Sequence, residues 1–333
     1  MIFAMAVIGA ITRLTESGLS IMEWAPVTGA LPPLGEAEWR RLFALYQEIP
    51  EYQVLHREMT LEEFKAIFWW EYVHRLWGRL IGVVFAGPFL WFWLRGRLSR
   101  RLVPHLVAML VLGGLQGGLG WFMVASGFAG RTDVSQYRLV AHLAFALAIY
   151  GYVFWIALTL LYPTPKPADD LGARGLRGAP ILRGALATIT VLIAVTVVSG
   201  GFVAGLDAGF VYNSFPLMDG RLVPSDYGAL EPWIANPFDN PAAAQFNHRA
   251  LAILTLLSVV GLWLWSRRLA LPERSRSAIN LVLAAAMVQV GLGIAALLLV
   301  VPVWLGALHQ AGAIALLTAA LWALFHLRRG GAP

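Results

Sequence analysis

Seven stretches of the chain are apolar over about 20 residues, the length a helix needs to cross the bilayer core. They run over about 70–94, 102–125, 137–161, 183–204, 242–265, 277–300 and 303–327. An eighth stretch, 1–12, is too short alone; it lacks the basic start and cleavage site of a signal peptide and is expected to be a truncated or late-started first span. With 59% hydrophobic and only 13% charged residues, a 333-residue water-soluble domain would be short of polar surface. Backbone polar groups in lipid must be satisfied internally, so every span is expected to be helical. The fold class that follows is an all-α integral membrane protein with eight transmembrane helices.

Charge placement sets an orientation. The connections 95–101, 162–183 and 266–276, with the tail after 327, hold 14 of the 25 basic residues. The longer connections 16–69, 126–136 and 205–241 hold six, against 15 acidic residues. By the positive-inside tendency both termini are cytoplasmic. The basic excess therefore reads as membrane topology and not as nucleic-acid binding. Cysteine is absent, which excludes disulfides, thiolate metal sites and cysteine nucleophiles and leaves His, Met and carboxylates as ligands or catalysts.

The spans contain a repeat. Residues 8–18, "IGAITRLTESG", align with 199–209, "SGGFVAGLDAG"; "EYVHR" (71–75) aligns with "QFNHR" (245–249); "QGGLG" (116–120) aligns with "QVGLG" (289–293), and His142 then corresponds to His309. Four spans per half make this a parallel duplication, predicting two pseudo-symmetric four-helix bundles, 1–161 and 183–333, joined by a basic cytoplasmic linker, 162–182. Gly113, Gly114, Gly117, Gly118 and Gly120 are expected to let their span pack closely on its neighbours.

Four of seven histidines, His74, His142, His248 and His309, lie five to seven residues inside the outer ends of spans, two per half. One such residue is commonly a hydrogen-bonding or snorkelling side chain, but four matched by a repeat suggest ligands. Two imidazoles facing each other in an apolar bundle suit a haem, whose iron takes one on each face. Two slots follow, one per half. Each histidine has a small residue four places on, Gly78, Ala146, Ala252 or Ala313, which leaves room for a flat ring. Arg75, Arg249 and Arg138 stand near these ligands and could neutralise haem propionates, or could snorkel to headgroups. Zinc or copper would want ligands closer together. His56, His105 and His326 have no repeat counterpart and are expected to be ordinary surface residues.

One difference between the halves stands beside a candidate ligand. Glu71, three residues before His74, is matched by Gln245, so one half could hold a permanent haem and the other perform chemistry beside a carboxylate. Glu71 could equally pair with Arg75 or Arg79. The segments 12–34 and 204–224, with few charges for outer loops, are expected to fold back as lids over the slots.

"TRLTESGLSIMEW", followed by "EYVHRLWGR" and the second "HR", resembles the haem A synthase family over essentially the whole chain. The resemblance implies two four-helix bundles in a bacterial inner membrane and oxidation of the haem O ring C8 methyl to a formyl group, giving haem A for terminal oxidases. It also implies His248 and His309 as ligands of a haem b cofactor, His74 and His142 in the haem O substrate site, and Glu71 as its essential acid. Haem O synthase and terminal-oxidase assembly factors are the candidate partners, beside membrane lipid and an unidentified electron donor. Lacking cysteine, the chain is similar to the cysteine-free branch of proteobacteria and mitochondria. The residues alone also fit a quinol-linked di-haem b electron carrier, or a proton-coupled transporter using Glu and His as a relay.

Overall fold

The computed structural model describes residues 1–25, 28–128, 130–163 and 173–328, with residues 173–179 as backbone alone. Helices and loops account for this chain, with no strand among the described residues. Among the described residues seven helices are long and apolar enough to cross a membrane, which makes this a multi-pass membrane protein. They are α4 (Leu61–Leu94), α5 (Val103–Val124), α6 (Gln136–Leu161), α7 (Ala173–Gly205), α9 (Pro241–Ser266), α10 (Glu273–Leu298) and α11 (Val303–His326). The shorter ones are α1 (Ile2–Leu14), α2 (Glu36–Tyr46), α3 (Pro50–Leu55) and α8 (Asn236–Asp239). At 1.5 Å per residue α1 is only about 20 Å long, less than the hydrocarbon core. Of the basic linker, residues 164–172 lie outside the described residues, and from Ala173 the chain is helical in α7.

Local chemistry sets where these helices begin. α4 starts at Leu61, nine residues before the apolar run at 70, because Thr60 and Glu63 form a capping box: Thr60 Oγ1 accepts from the Glu63 amide and the Glu63 carboxylate accepts from the Thr60 amide. α9 starts behind Asn240, whose Oδ1 accepts from the amides of Ala242 and Ala243, with Pro241 in the first turn where its missing N–H costs nothing. Pro88 lies inside α4, a placement that transmembrane helices tolerate. Exposed Val83, Val84, Trp91, Val111 and Leu115 on α4 and α5 give these helices an apolar outer surface suited to lipid.

The chain forms two compact units, Met1–Ile149 and Tyr150–Pro333, with the division inside α6. In the first, α4 packs against α1, α2 and α5. It has an aromatic core in which Tyr46, Phe64, Phe68 and Tyr72 pack with Leu19, Leu42, Ile49 and Val134. In the second, α7 packs on α9, α9 on α10, α10 on α11 and α11 on α7, closing a ring of four helices.

The glycine-rich span departs from expectation. A methyl group added at Gly113, Gly114, Gly117 or Gly118 would meet nothing within 4 Å. Only Gly120 is in close contact, and its neighbour is His142. Four of the five glycines therefore leave α5 with a bare face instead of tight helix packing.

Candidate functional site

Each of the four intramembrane histidines lies against a glycine of a neighbouring helix. A Cβ built at Gly9 would stand 3.3 Å from His74 Nε2, and one at Gly200 3.1 Å from His248 Cε1. At Gly120 it would stand 3.0 Å from His142 Cε1, and at Gly293 2.8 Å from His309 Cε1. No larger residue fits at these closest contacts without displacing an imidazole. Gly9 matches Gly200, and Gly120 matches Gly293, in the sequence alignment of the two halves.

A glutamine accompanies the second histidine of each unit. Gln116 Nε2 donates to the backbone oxygen of His142 at 3.1 Å, and Gln289 Nε2 to that of His309 at 3.0 Å. A carbonyl can only accept, so the amide nitrogen is fixed on that side. Both amide oxygens, Gln116 Oε1 and Gln289 Oε1, are left buried without a hydrogen-bond partner. The sequence alignment had paired these glutamines and glycines without showing their purpose.

The loop segments 12–34 and 204–224 are tied down by matching bonds. In the first unit Arg75 Nη2 donates to the carbonyl of Ile21 at 2.7 Å and Nη1 to that of Glu23 at 3.0 Å. In the second, Arg249 Nη2 donates to Tyr212 O at 2.6 Å and Nη1 to Ser214 O at 2.9 Å. Arg79 and Tyr72 add bonds to Ala25 O and Ala30 O. Both loops thus fold back on their helices, as their composition suggests. Arg138 instead donates to Phe122 O at 2.7 Å, its guanidinium 3.8 Å from the centre of the Phe122 ring.

The difference between the clusters lies beneath these arginines. Glu71 is 2% exposed, and all its hydrogen bonds come from donors. Ser20 Oγ and Ile21 N each donate to Oε2 at 2.7 Å, while Arg75 Nε and Nη2 donate to Oε1 at 2.9 and 2.6 Å. Gln245 reverses half of this: its Nε2 donates to Ala208 O and Val211 O at 2.6 and 2.5 Å, and its Oε1 accepts from Arg249 at 2.8 Å. Toward residue 71 the first loop presents hydrogens, where toward residue 245 the second presents oxygens, and each residue matches what it meets. Glu71 therefore pairs with Arg75, within one helical turn of His74.

The rings of the second pair stand close enough to share one metal. The ring centroids of His248 and His309 are 6.4 Å apart with planes at 87°. Two imidazoles binding one metal from opposite sides, each at about 2 Å as in zinc sites, put their centroids at roughly this separation. Among the described residues no group of three or more His, Asp or Glu gathers as a metal site. A metal held by either pair has to bring its other ligands with it, as haem iron does.

Sequence reasoning misjudged His56. It is not an ordinary surface residue: Nδ1 lies 2.7 Å from Tyr46 Oη and Nε2 3.2 Å from Glu16 Oε2. Tyr46 Oη in turn donates to the buried Glu51 at 3.2 Å. His326 packs edge-on against Trp322, Tyr162 and Phe325.

A sequence model of the COX15-CtaA family, described as cytochrome oxidase assembly protein, matches residues 1–321. Among curated relatives, a heme A synthase of Rhodospirillum centenum is 53% identical over 333 residues, 100% of this chain and 87% of its own. That of Nitrosospira multiformis is 50% identical over 329 residues, 99% of this chain and 91% of its own. That of Nitrosomonas eutropha is 47% identical over 323 residues, 97% of this chain and 89% of its own.

Proposed function

Because the chain belongs to the COX15-CtaA family of cytochrome oxidase assembly proteins, we propose that it oxidises haem O to haem A, converting the C8 methyl of the ring to a formyl group for terminal oxidases. It is an oxidoreductase like the relatives that carry the name heme A synthase over nearly their whole length. The observation that carries the division of labour is the Glu71 and Gln245 exchange between two clusters matched in their histidines, glutamines and arginines.

His74 and His142, on α4 and α6 of the first unit, take haem O as substrate. Glu71 beside them is the essential acid, because it brings to this site a carboxylate, with its charge and acid–base chemistry, where Gln245 offers only a neutral amide. The bare glycine face of α5 next to His142 leaves space for a flat ring. His248 and His309 hold a permanent haem b, and the ring of four helices around them supplies its apolar slot. When bound, haem b supplies electron transfer between the substrate site and an electron donor. Arg75 and Arg249 fix the loops over the two sites and are also the nearby cations for anionic propionates.

The architecture in this reading is a parallel duplication, 1–161 and 183–333 about the linker 162–182, with α1 as the first of eight spans. Its support is the matched set of glycine, histidine, glutamine and arginine contacts. The membrane is the bacterial inner membrane with both termini cytoplasmic, supported by the basic inner connections. Haem O synthase and terminal-oxidase assembly factors are the partners that would deliver substrate and take up product.

The test is to express the chain with a source of haem O, extract haem from the membranes and separate it chromatographically. A formyl-bearing haem absent from the vector control is expected. Two retained b haems and an unaltered ring would make the chain an electron carrier instead.

A further inference from the structure

His248 is held differently from the other three histidines. Its Nδ1 lies 2.8 Å from Ser199 Oγ, and the same hydroxyl donates to the carbonyl of Thr196 at 2.7 Å. A serine has one hydroxyl proton, and a carbonyl can only accept. With that proton committed to Thr196, Ser199 Oγ must accept from His248 Nδ1–H, which leaves the lone pair on Nε2.

The first unit's His74 and His142 have no such partner, while His309 in the second unit has the backbone of Gln289 as its acceptor. Gln116 Nε2 is 3.2 Å from both ring nitrogens of His142, and Gln289 Nε2 is 3.1 and 3.5 Å from those of His309. An amide shared between both ring nitrogens lies along neither lone pair, so in the first unit it orients the His142 ring without choosing a tautomer. Ile8 matches Ser199 in the alignment of the two halves and has no polar atom to offer. Nothing equivalent to the serine can therefore stand there.

Resting on the reading that His248 and His309 grip a haem, we propose that Ser199 is the positioning residue of that site: it locks His248 in the tautomer whose Nε2 can ligate iron. Accepting a hydrogen bond from Nδ1–H also makes the ligating nitrogen more basic, which strengthens its bond to iron and favours the ferric state. The serine thus helps keep the second haem resident, while the histidines of the first unit, without this device, suit a haem that must enter and leave.

The experiment uses the purified full-length chain carrying its haem, with Ser199→Ala, Ser199→Thr and His248→Ala. Haem loss is read by transfer to excess apomyoglobin, and the midpoint potential by optical redox titration. Loss from Ser199→Ala should be on the order of 10-fold faster than from the unchanged chain, with a more positive potential, and Ser199→Thr should restore both. Unchanged loss and potential in Ser199→Ala overturn the role of the serine. A His248→Ala chain that keeps its haem, or an unchanged chain that never holds one, overturns the reading of the histidine pair and this inference with it.

Discussion

Arg75 donates two hydrogen bonds to one oxygen of Glu71, while Ser20 and Ile21 donate to the other. The carboxylate is therefore surrounded by donors, and the guanidinium that binds it also binds the loop. An amide put in its place turns an N–H toward one of these donors. Glu71→Gln is expected to cut formation of the formyl-bearing haem by about 100-fold or more, the usual scale for losing an acid–base group. The absorption spectrum of the resident haem should stay unchanged. Chromatography of extracted haem, alongside that spectrum, checks both; full turnover would remove Glu71 from the chemistry.

Arginine is required at 75 and 249 by geometry as well as charge. Each guanidinium bonds two carbonyls, of residues 21 and 23 in one unit and of 212 and 214 in the other, with the residue one turn back on the helix. Lysine carries the charge but not the planar fork. Losing even one such charge-assisted bond, worth about 1.5–3 kcal/mol, makes local opening roughly tenfold or more easier. Arg75→Lys should speed proteolytic cleavage in the first loop and Arg249→Lys in the second, each leaving the other loop as it was. Equal cleavage rates in both variants and the unchanged chain would show that these bonds do not hold the loops.

What could be read in the sequence was what lipid makes compulsory. The seven long spans follow from the cost of unpaired backbone groups in hydrocarbon, and the four histidines stand out because polar residues there are expensive. The early start of α4 was also present, in the Thr60 and Glu63 pair, but "LEEFKAIFWW" is too polar to register as span. The work of Arg75 and Arg249 was not legible, because their partners are backbone carbonyls and these leave no trace in residue identity. His56 was missed for a related reason: its partners Tyr46 and Glu16 are 10 and 40 residues away. The glycines of α5 misled because sequence records the missing side chain and not whether a neighbour fills the gap.

Glu51 gives the outer part of the first unit a dependence on pH. Burial in the fold raises its pKa to about 8, reinforced by the negative charges of Asp133, Glu16 and Glu71 and opposed by the hydrogen bond from Tyr46. Unfolded, the same carboxyl ionises in the usual range near 4.3. The folded state therefore binds the extra proton between these values, and stability falls as pH rises through about 8. Glu51→Gln keeps an acceptor for Tyr46 and cannot ionise, so its stability should be flat where the unchanged chain declines. Thermal unfolding in detergent from pH 5.5 to about 9 tests this; parallel curves for the two proteins would mean that Glu51 is already ionised in the fold.

Gly293 and Gly117 provide a matched contrast between a glycine that a histidine needs and one that no side chain touches. A Cβ at Gly293 would lie 2.8 Å from His309 Cε1, inside contact distance, whereas one at Gly117 would meet nothing within 4 Å. The rigid imidazole at 309 can yield only by shifting, which changes its placement against His248, whose ring lies 6.4 Å off. Gly293→Ala is therefore expected to cost about 1–3 kcal/mol through overpacking and to lower the haem retained per chain. Gly117→Ala, with no such contact, should leave unfolding within about 0.5 kcal/mol of the unchanged chain. Pyridine haemochrome assays on the two purified variants, at equal protein, measure the difference. Equal haem content would mean that the position of the His309 ring does not decide whether the second unit binds haem.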